Sequence, residues 1–100
     1  MHKLLVLYPH PTDPAAFEAH YEGTHIPLAA KLPGMLDFRY SLNVHAEPES
    51  PYFAVFEADF PDAEAMAAAL ASPEGEAVQA DVPNYATGGA VVLDYPVVSR

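Results

Sequence analysis

An α+β fold, with helices laid on one face of a four-stranded antiparallel sheet, is the architecture this chain predicts, on three observations. The order of periodic segments is strand, helix, strand, strand, helix, strand within 100 residues. The first and last strands are apolar on both faces, whereas the two middle ones alternate apolar and polar positions. Each helical segment is bracketed by recognisable start and stop residues. That order is a split βαβ unit of the ferredoxin-like kind.

Taken in turn, Lys3 to Tyr8 (KLLVLY) is a continuous apolar run closed by the Pro9 to Pro11 turn, which predicts a strand central in its sheet. Asp13 is the expected N-cap of the first helix and Pro14 its first residue, where a missing N–H costs nothing. The helix is expected over roughly Pro14 to Lys31, with Phe17, Tyr21, Leu28 and Leu32 as its core stripe and Pro33-Gly34 as its stop. Inside it, Pro27 has no N–H for the Gly23 carbonyl and its ring crowds that group, so a kink or local unwinding is expected there. Such a bend turns His20, Tyr21 and His25 toward a small polar pocket.

Met35 to Val44 alternates, with Leu36, Phe38, Tyr40, Leu42 and Val44 on one face and Asp37, Arg39, Ser41 and Asn43 on the other. His45 to Pro51 is a turn by composition. Tyr52 to Phe60 is the next strand, with Tyr52, Ala54, Phe56, Ala58 and Phe60 on one face and Phe53, Val55, Glu57 and Asp59 on the other, and it forms a hairpin with its predecessor. Pro61 to Ala71 predicts an alanine-rich helix lying close to the sheet, and Ser72-Pro73-Glu74 starts a short helix to about Asp81. Asn84 to Gly89 is a loop and Ala90 to Tyr95 (AVVLDY) the last strand.

Residues 1–100 are expected to form a single domain with one core. With 51% hydrophobic and 18% charged residues the chain is globular in composition. A formal charge of -10, from 14 acidic against 4 basic residues, argues against nucleic acid or an anionic membrane as a partner. Cysteine is absent, which removes disulfides, thiolate metal sites and thiol nucleophiles. The apolar run after His2 and Lys3 is too short for a signal core and no run approaches a membrane span, so a cytoplasmic location is expected. A one-sided helix layer leaves the other sheet face bare. A second copy of the same sheet is the simplest cover, so a homodimer with sheet packed on sheet is expected.

The segments KLLVLYPHPTDPAAFEAHYEGTHIPLAAKLPG and SPEGEAVQADVPNYATGG, above all the HIP of His25 to Pro27 and the SPEG of Ser72 to Gly75, resemble the EthD family of the dimeric α/β barrel superfamily. The resemblance covers nearly the whole chain. It implies a ferredoxin-like dimer and, for some members, a place in the degradation or modification of small organic molecules, ethers among them, beside an oxygenase system. Superfamily relatives include cofactor-free monooxygenases, isomerases, decarboxylases, cyclases and haem-degrading enzymes, so the family implies the fold more firmly than the reaction. No dinucleotide fingerprint is present: the Gly88-Gly89 pair precedes a strand instead of joining strand to helix.

Candidate chemistry centres on His25 and His20. Five residues apart, they stand about 140° from each other on an ideal α-helix, so they are expected not to share a face and no metal site is expected. Either serves as a general acid or base; otherwise His25 is a structural histidine satisfying groups freed by Pro27 and His20 a half-buried packing residue beside Phe17. Tyr21, four before His25, either orients its ring or packs in the core. Asn84 and Tyr85 either close a pocket over a ligand or form a turn and a core contact. Arg39 and Glu57 either pair in a partly buried cleft, with Arg39 a substrate-binding candidate beside Tyr8, Tyr21, Asn84 and Tyr85, or fix strand register or an interface. Tyr8, Tyr40 and Phe56 are either pocket walls or core. The other acidic residues read as a solvated surface.

Two functions stay open. One is a cofactor-independent enzyme on a small ether, aromatic or polyketide-like molecule held between the sheet and the first helix, with monooxygenase-, isomerase- or decarboxylase-like chemistry. There His25, then His20, moves a proton while Tyr85 or Asn84 stabilises an oxyanion. The other is a non-catalytic small-molecule binding or accessory protein. No cofactor is required by either, and haem with His20 or His25 as axial ligand is a third option.

Overall fold

A computed structural model describes residues 1–100. Its strands are β1 (His2–Pro9), β2 (Asp37–Ser41), β3 (Tyr52–Phe60) and β4 (Val91–Pro96), in one antiparallel sheet of order β2-β3-β1-β4. The sheet's helical side carries α1 (Pro14–His20), a π-turn (Tyr21–His25), α2 (Ile26–Ala29), α3 (Ala63–Ala71) and α4 (Pro73–Asp81), followed by a 3₁₀ turn (Val82–Asn84). This is the α+β, ferredoxin-like split βαβ arrangement expected from the order of elements. No helix is long and apolar enough to cross a membrane.

The caps act as their chemistry dictates. Asp13 accepts from the Ala16 N–H at 3.1 Å, Asp62 from Ala65 at 2.8 Å and Ser72 from Gly75 at 3.1 Å. Gly75 is required for closeness: a Cβ there would run into the backbone carbonyls of Ala69 and Leu70, so only glycine lets α4 fold back this tightly on α3.

The first helix is not simply kinked at Pro27. It passes through one π-turn, in which the Ile26 N–H donates to the Tyr21 carbonyl five residues back. The extra residue resets the inward frame. Phe17, Tyr21, His25, Ala29 and Leu32 are buried, while Leu28, expected in the core stripe, is only half-buried.

β2 is shorter than the expected Met35 to Val44. Beyond Ser41 its pairing with β3 dwindles to one long bond from the Val44 N–H to the Phe53 carbonyl at 3.4 Å. Phe53 also departs from expectation. A register shift opposite Tyr8 and Pro9 brings it to the helical side, where its ring meets that of Phe17 edge-on at 5.1 Å. β1 is central as expected, but β4 is an edge strand exposed along its whole length, so the burial expected of it on both faces is not provided within one chain.

Candidate functional site

A cavity of about 330 Å³ opens between the helical side of the sheet and the helices α2 to α4. Its floor is Leu4, Val6, Tyr8, Phe56 and Val92 from the strands, and Ala29, Leu32, Leu70, Val78 and Val82 cover it. Its polar members are His25, Tyr8 and Gln79. Gln79 is already engaged, donating to the carbonyls of Leu70 at 2.9 Å and Gly75 at 3.0 Å. His25 and Tyr8 are therefore the polar side chains of this space that are not tied to the backbone.

The π-turn explains how His25 is held. Winding by i to i+5 brings residues five apart over one another, so His20 and His25 meet the same carboxylate, contrary to the separation expected from an ideal α-helix. His20 Nε2 lies 2.9 Å from Asp81 Oδ1 and His25 Nδ1 lies 2.9 Å from Asp81 Oδ2, with Asn84 Nδ2 donating to Oδ1 at 3.0 Å. Asp81 is buried at the C-terminal end of α4, where the helix dipole disfavours a carboxylate. Burial pushes its acidity constant up, but the hydrogen bonds from Asn84, His20 and His25 outweigh that and hold the carboxyl below its ordinary range. Burial, in turn, lowers the His25 imidazole below its usual value against the opposing pull of Asp81, so its neutral form prevails near pH 7. Accepting at Asp81 assigns the proton to Nδ1 and leaves His25 Nε2 with its lone pair and no protein partner.

Behind the imidazole stands an aromatic cluster. The Tyr85 ring lies 4.7 Å from His25 and 5.7 Å from Tyr8, and the Tyr21 ring lies 5.4 Å from each. The hydroxyls of Tyr8 and Tyr85 share a 2.8 Å hydrogen bond, while the buried Tyr21 hydroxyl has no partner. Burial raises all three phenols, so they stay protonated.

Among the residues singled out from the sequence, His25, His20, Tyr21, Asn84, Tyr85 and Tyr8 gather in this one region. Within it Asn84 and Tyr85 do not close over the cavity: one holds Asp81 and the other backs Tyr8. Arg39 stands on the helix-free face, bonded to Asp59 at 2.9 Å and Asp37 at 3.0 Å, with Glu57 at 3.9 Å, and is no part of the cavity. Asp81 and Asp59, grouped with the solvated acidic surface by composition, are both buried. The signal for Asp81 was its position, an uncompensated acid in the last turn of a helix.

No group of three or more His, Cys, Asp or Glu side chains is arranged to hold a metal ion. For haem, His25 alone of the two histidines keeps a nitrogen free in the cavity, and the lining carries no Lys or Arg for propionate groups. That donor set suits a small, mostly apolar molecule better than a porphyrin.

Fold and site together define a small ferredoxin-like protein whose sheet and helices enclose an apolar cavity beside a histidine-aspartate cluster. The chain belongs to the EthD family: the EthD domain pattern matches residues 9–89. It is 37% identical, over 93% of its length and 91% of the relative's, to an uncharacterised 11.0 kDa protein from the thcB-thcC intergenic region of Rhodococcus erythropolis. Its fold is similar to the crystal structure of an ethyl tert-butyl ether D (EthD) family protein from Bacillus halodurans, at 31% identity and TM-score 0.91, with 98% of this chain and 99% of that one covered. It also resembles a dimeric ferredoxin-like protein of unknown function from Thermobifida fusca, at 12% identity and TM-score 0.75, over 96% of this chain and 90% of that one.

Proposed function

We propose that this chain is a cofactor-independent enzyme acting on a small ether, aromatic or polyketide-like molecule, with His25 as the general base. The observation that carries the reading is the Asp81-anchored imidazole. Its Nδ1 is committed to a carboxylate at 2.9 Å, and its Nε2 has no protein partner, beside a mostly apolar cavity whose other polar members are Tyr8 and Gln79. A neutral imidazole fixed in one tautomer is the form a general base needs, and Asp81 stabilises the imidazolium formed on proton uptake. His20 shares the carboxylate and acts through it. A second reading, a non-catalytic binding or accessory protein of a degradation pathway, is favoured by how apolar the lining is.

The chain is further proposed to work as a homodimer. On β4 the residues Val91, Leu93 and Tyr95, 38%, 44% and 42% exposed, stand beside Leu7, Leu5 and Lys3 on the helix-free face. A second sheet laid there covers this row. The Thermobifida protein of the same fold is dimeric.

The test offers the purified protein alkyl aryl ethers, phenols and polyketones with no added nucleotide, flavin or metal, and follows their consumption by mass spectrometry. Turnover in His25→Asn is expected to fall about 10²- to 10⁴-fold with ligand affinity and melting temperature retained. Equal loss of affinity and stability would make His25 a structural residue. Tight binding without turnover by the unaltered chain would leave the accessory reading.

A further inference from the structure

The cavity holds one hydrogen-bonding side chain besides His25 that is not tied to the backbone, and that is Tyr8. Its hydroxyl meets Tyr85 at 2.8 Å. Tyr85 lies wholly within the protein and does not line the cavity, so when Tyr85 donates to Tyr8 the Tyr8 proton is left for whatever occupies the space. Tyr8 and His25 flank the same two rings, those of Tyr21 and Tyr85. A donor and a base thus converge on one apolar volume.

We propose that Tyr8 is a catalytic hydrogen-bond donor, that Tyr85 is its positioning residue, and that the cavity takes a mostly apolar molecule with a carbonyl beside an acidic C–H. The proposal rests on His25 being the base. In the step it describes, His25 Nε2 takes the proton from the carbon next to the carbonyl and becomes imidazolium. The C–H electron pair forms the new carbon–carbon double bond, and the carbonyl π pair moves onto oxygen. The enolate oxygen accepts from the Tyr8 O–H, which accepts in turn from Tyr85. Return of the proton to the same carbon restores the substrate. Where a carbon–carbon double bond adjoins that carbon, the anion is a dienolate, and return of the proton from His25 to its far end moves the double bond into conjugation with the carbonyl, an isomerisation with no oxidant or reductant consumed.

The phenols are suited to this by burial. Each is held above its usual acidity constant, so none loses its proton to solvent before the enolate forms. Tyr21 adds a reserve. Its hydroxyl is buried without a partner, close enough to Tyr8 to act on it electrostatically, and a charged oxygen at Tyr8 gives that orphan donor something to turn toward.

The probe is 4-nitrophenol, whose phenolate mimics an enolate and whose visible absorption reports ionisation. The unaltered protein is expected to bind it as the phenolate, its proton on His25, at a pH where the free phenol is neutral. In Tyr8→Phe the affinity falls about 10- to 100-fold, the loss of one hydrogen bond to a charged group, and the phenolate band weakens. In Tyr85→Phe the band shifts and affinity falls about threefold to tenfold, with melting temperature changed by only a few degrees. Unchanged affinity and spectrum in Tyr8→Phe would overturn the proposal. Should that variant fail to fold, an unchanged spectrum in Tyr85→Phe would do so instead. Binding of the neutral phenol by the unaltered protein, still weakened in Tyr8→Phe, would keep the Tyr8 donor and remove His25 as base.

Discussion

Both sides of the sheet bury an aspartate among donors, and they do it with opposite chemistry. On the helix-free face Asp59 meets Lys3 Nζ at 2.8 Å and Arg39 at 2.9 Å. Their hydrogen bonds, Arg39 first and Lys3 second, hold its carboxyl below the ordinary range, and both partners are pushed further toward the charged form. On the helical side Asp81 has His20, His25 and Asn84 instead. Lys3 and Arg39 cannot exchange a proton near neutral pH, so what they do is fix register: Lys3 stands opposite Asp59, and Arg39 opposite Glu57. An imidazole can exchange one. The same depressed carboxylate is therefore a clamp on one face and, in the function proposed above, a proton-handling partner on the other.

The largest expected effect breaks that comparison directly. Asp81→Asn removes the charge that stabilises the imidazolium, and turnover is expected to fall about 10²- to 10⁴-fold. Asp59→Asn is expected to leave turnover per folded protein within about twofold, since no proton passes through that cluster. Steady-state rates normalised to folded protein decide it, and equal losses would show that the two aspartates are not different in kind.

Stability separates them less widely. Asp81→Ala leaves the buried His25 donor unpaired, while half-buried His20 and exposed Asn84 can turn to water, and is expected to cost about 1–3 kcal/mol in urea unfolding. Asp59→Ala is expected to cost about 1–2 kcal/mol, because Arg39 keeps Asp37 and reaches solvent. A larger loss for Asp59 would mean that register, not the helix-to-sheet join, is the weaker point of the fold.

The difference between the faces was only half legible beforehand. The alternation of Asp37, Arg39 and Ser41 against Phe38 and Tyr40 announced a polar face to β2, and the register of Arg39 opposite Glu57 followed from adjacent strands, although the Arg39 hydrogen bonds go to Asp59 and Asp37. Four strands and the N-caps Asp13 and Ser72 were equally plain, because cap chemistry and period are local, whereas Asp62, read as part of the first turn of a helix from Pro61, is instead the N-cap of α3. What could not be read was the π-turn. Gly23 and Pro27 announce a disturbance, but whether the helix kinks or gains a residue depends on packing, and the gained residue puts His20 and His25 on one carboxylate. Asp81 was hidden for the same reason: its partners come from 56 and 61 residues away.

Acid sharpens the contrast by a smaller amount. His25 titrates below its usual 6.5 when folded, so the unfolded chain takes up the proton first and stability declines as pH falls below about 6.5. Asp81 and Asp59 titrate below their usual 3.8, so their contributions are intact above about pH 4 and fade as pH falls through the depressed values. Urea midpoints from pH 8 to 3 should show both declines in the unaltered protein. His25→Gln is expected to flatten the upper one and Asp59→Asn to trim only the lower. An upper decline that survives His25→Gln would assign it to another group.

The smallest effect belongs to Asp37. Its side chain is 69% exposed and meets Arg39 at 3.0 Å, in the same cluster as the buried Asp59. Arg39 keeps Asp59 when Asp37 becomes Asn, water already screens the lost charge, and the Asp37 carboxylate is not enclosed by anything that must be unpaired. Asp37→Asn should therefore change the unfolding free energy by less than about 0.5 kcal/mol. A loss above about 1 kcal/mol in the same urea titration would mean that Asp37 is covered in the working assembly. Repeating it across protein concentration then distinguishes a charge buried between two sheets, whose effect varies with concentration, from one buried within a single chain, whose effect does not.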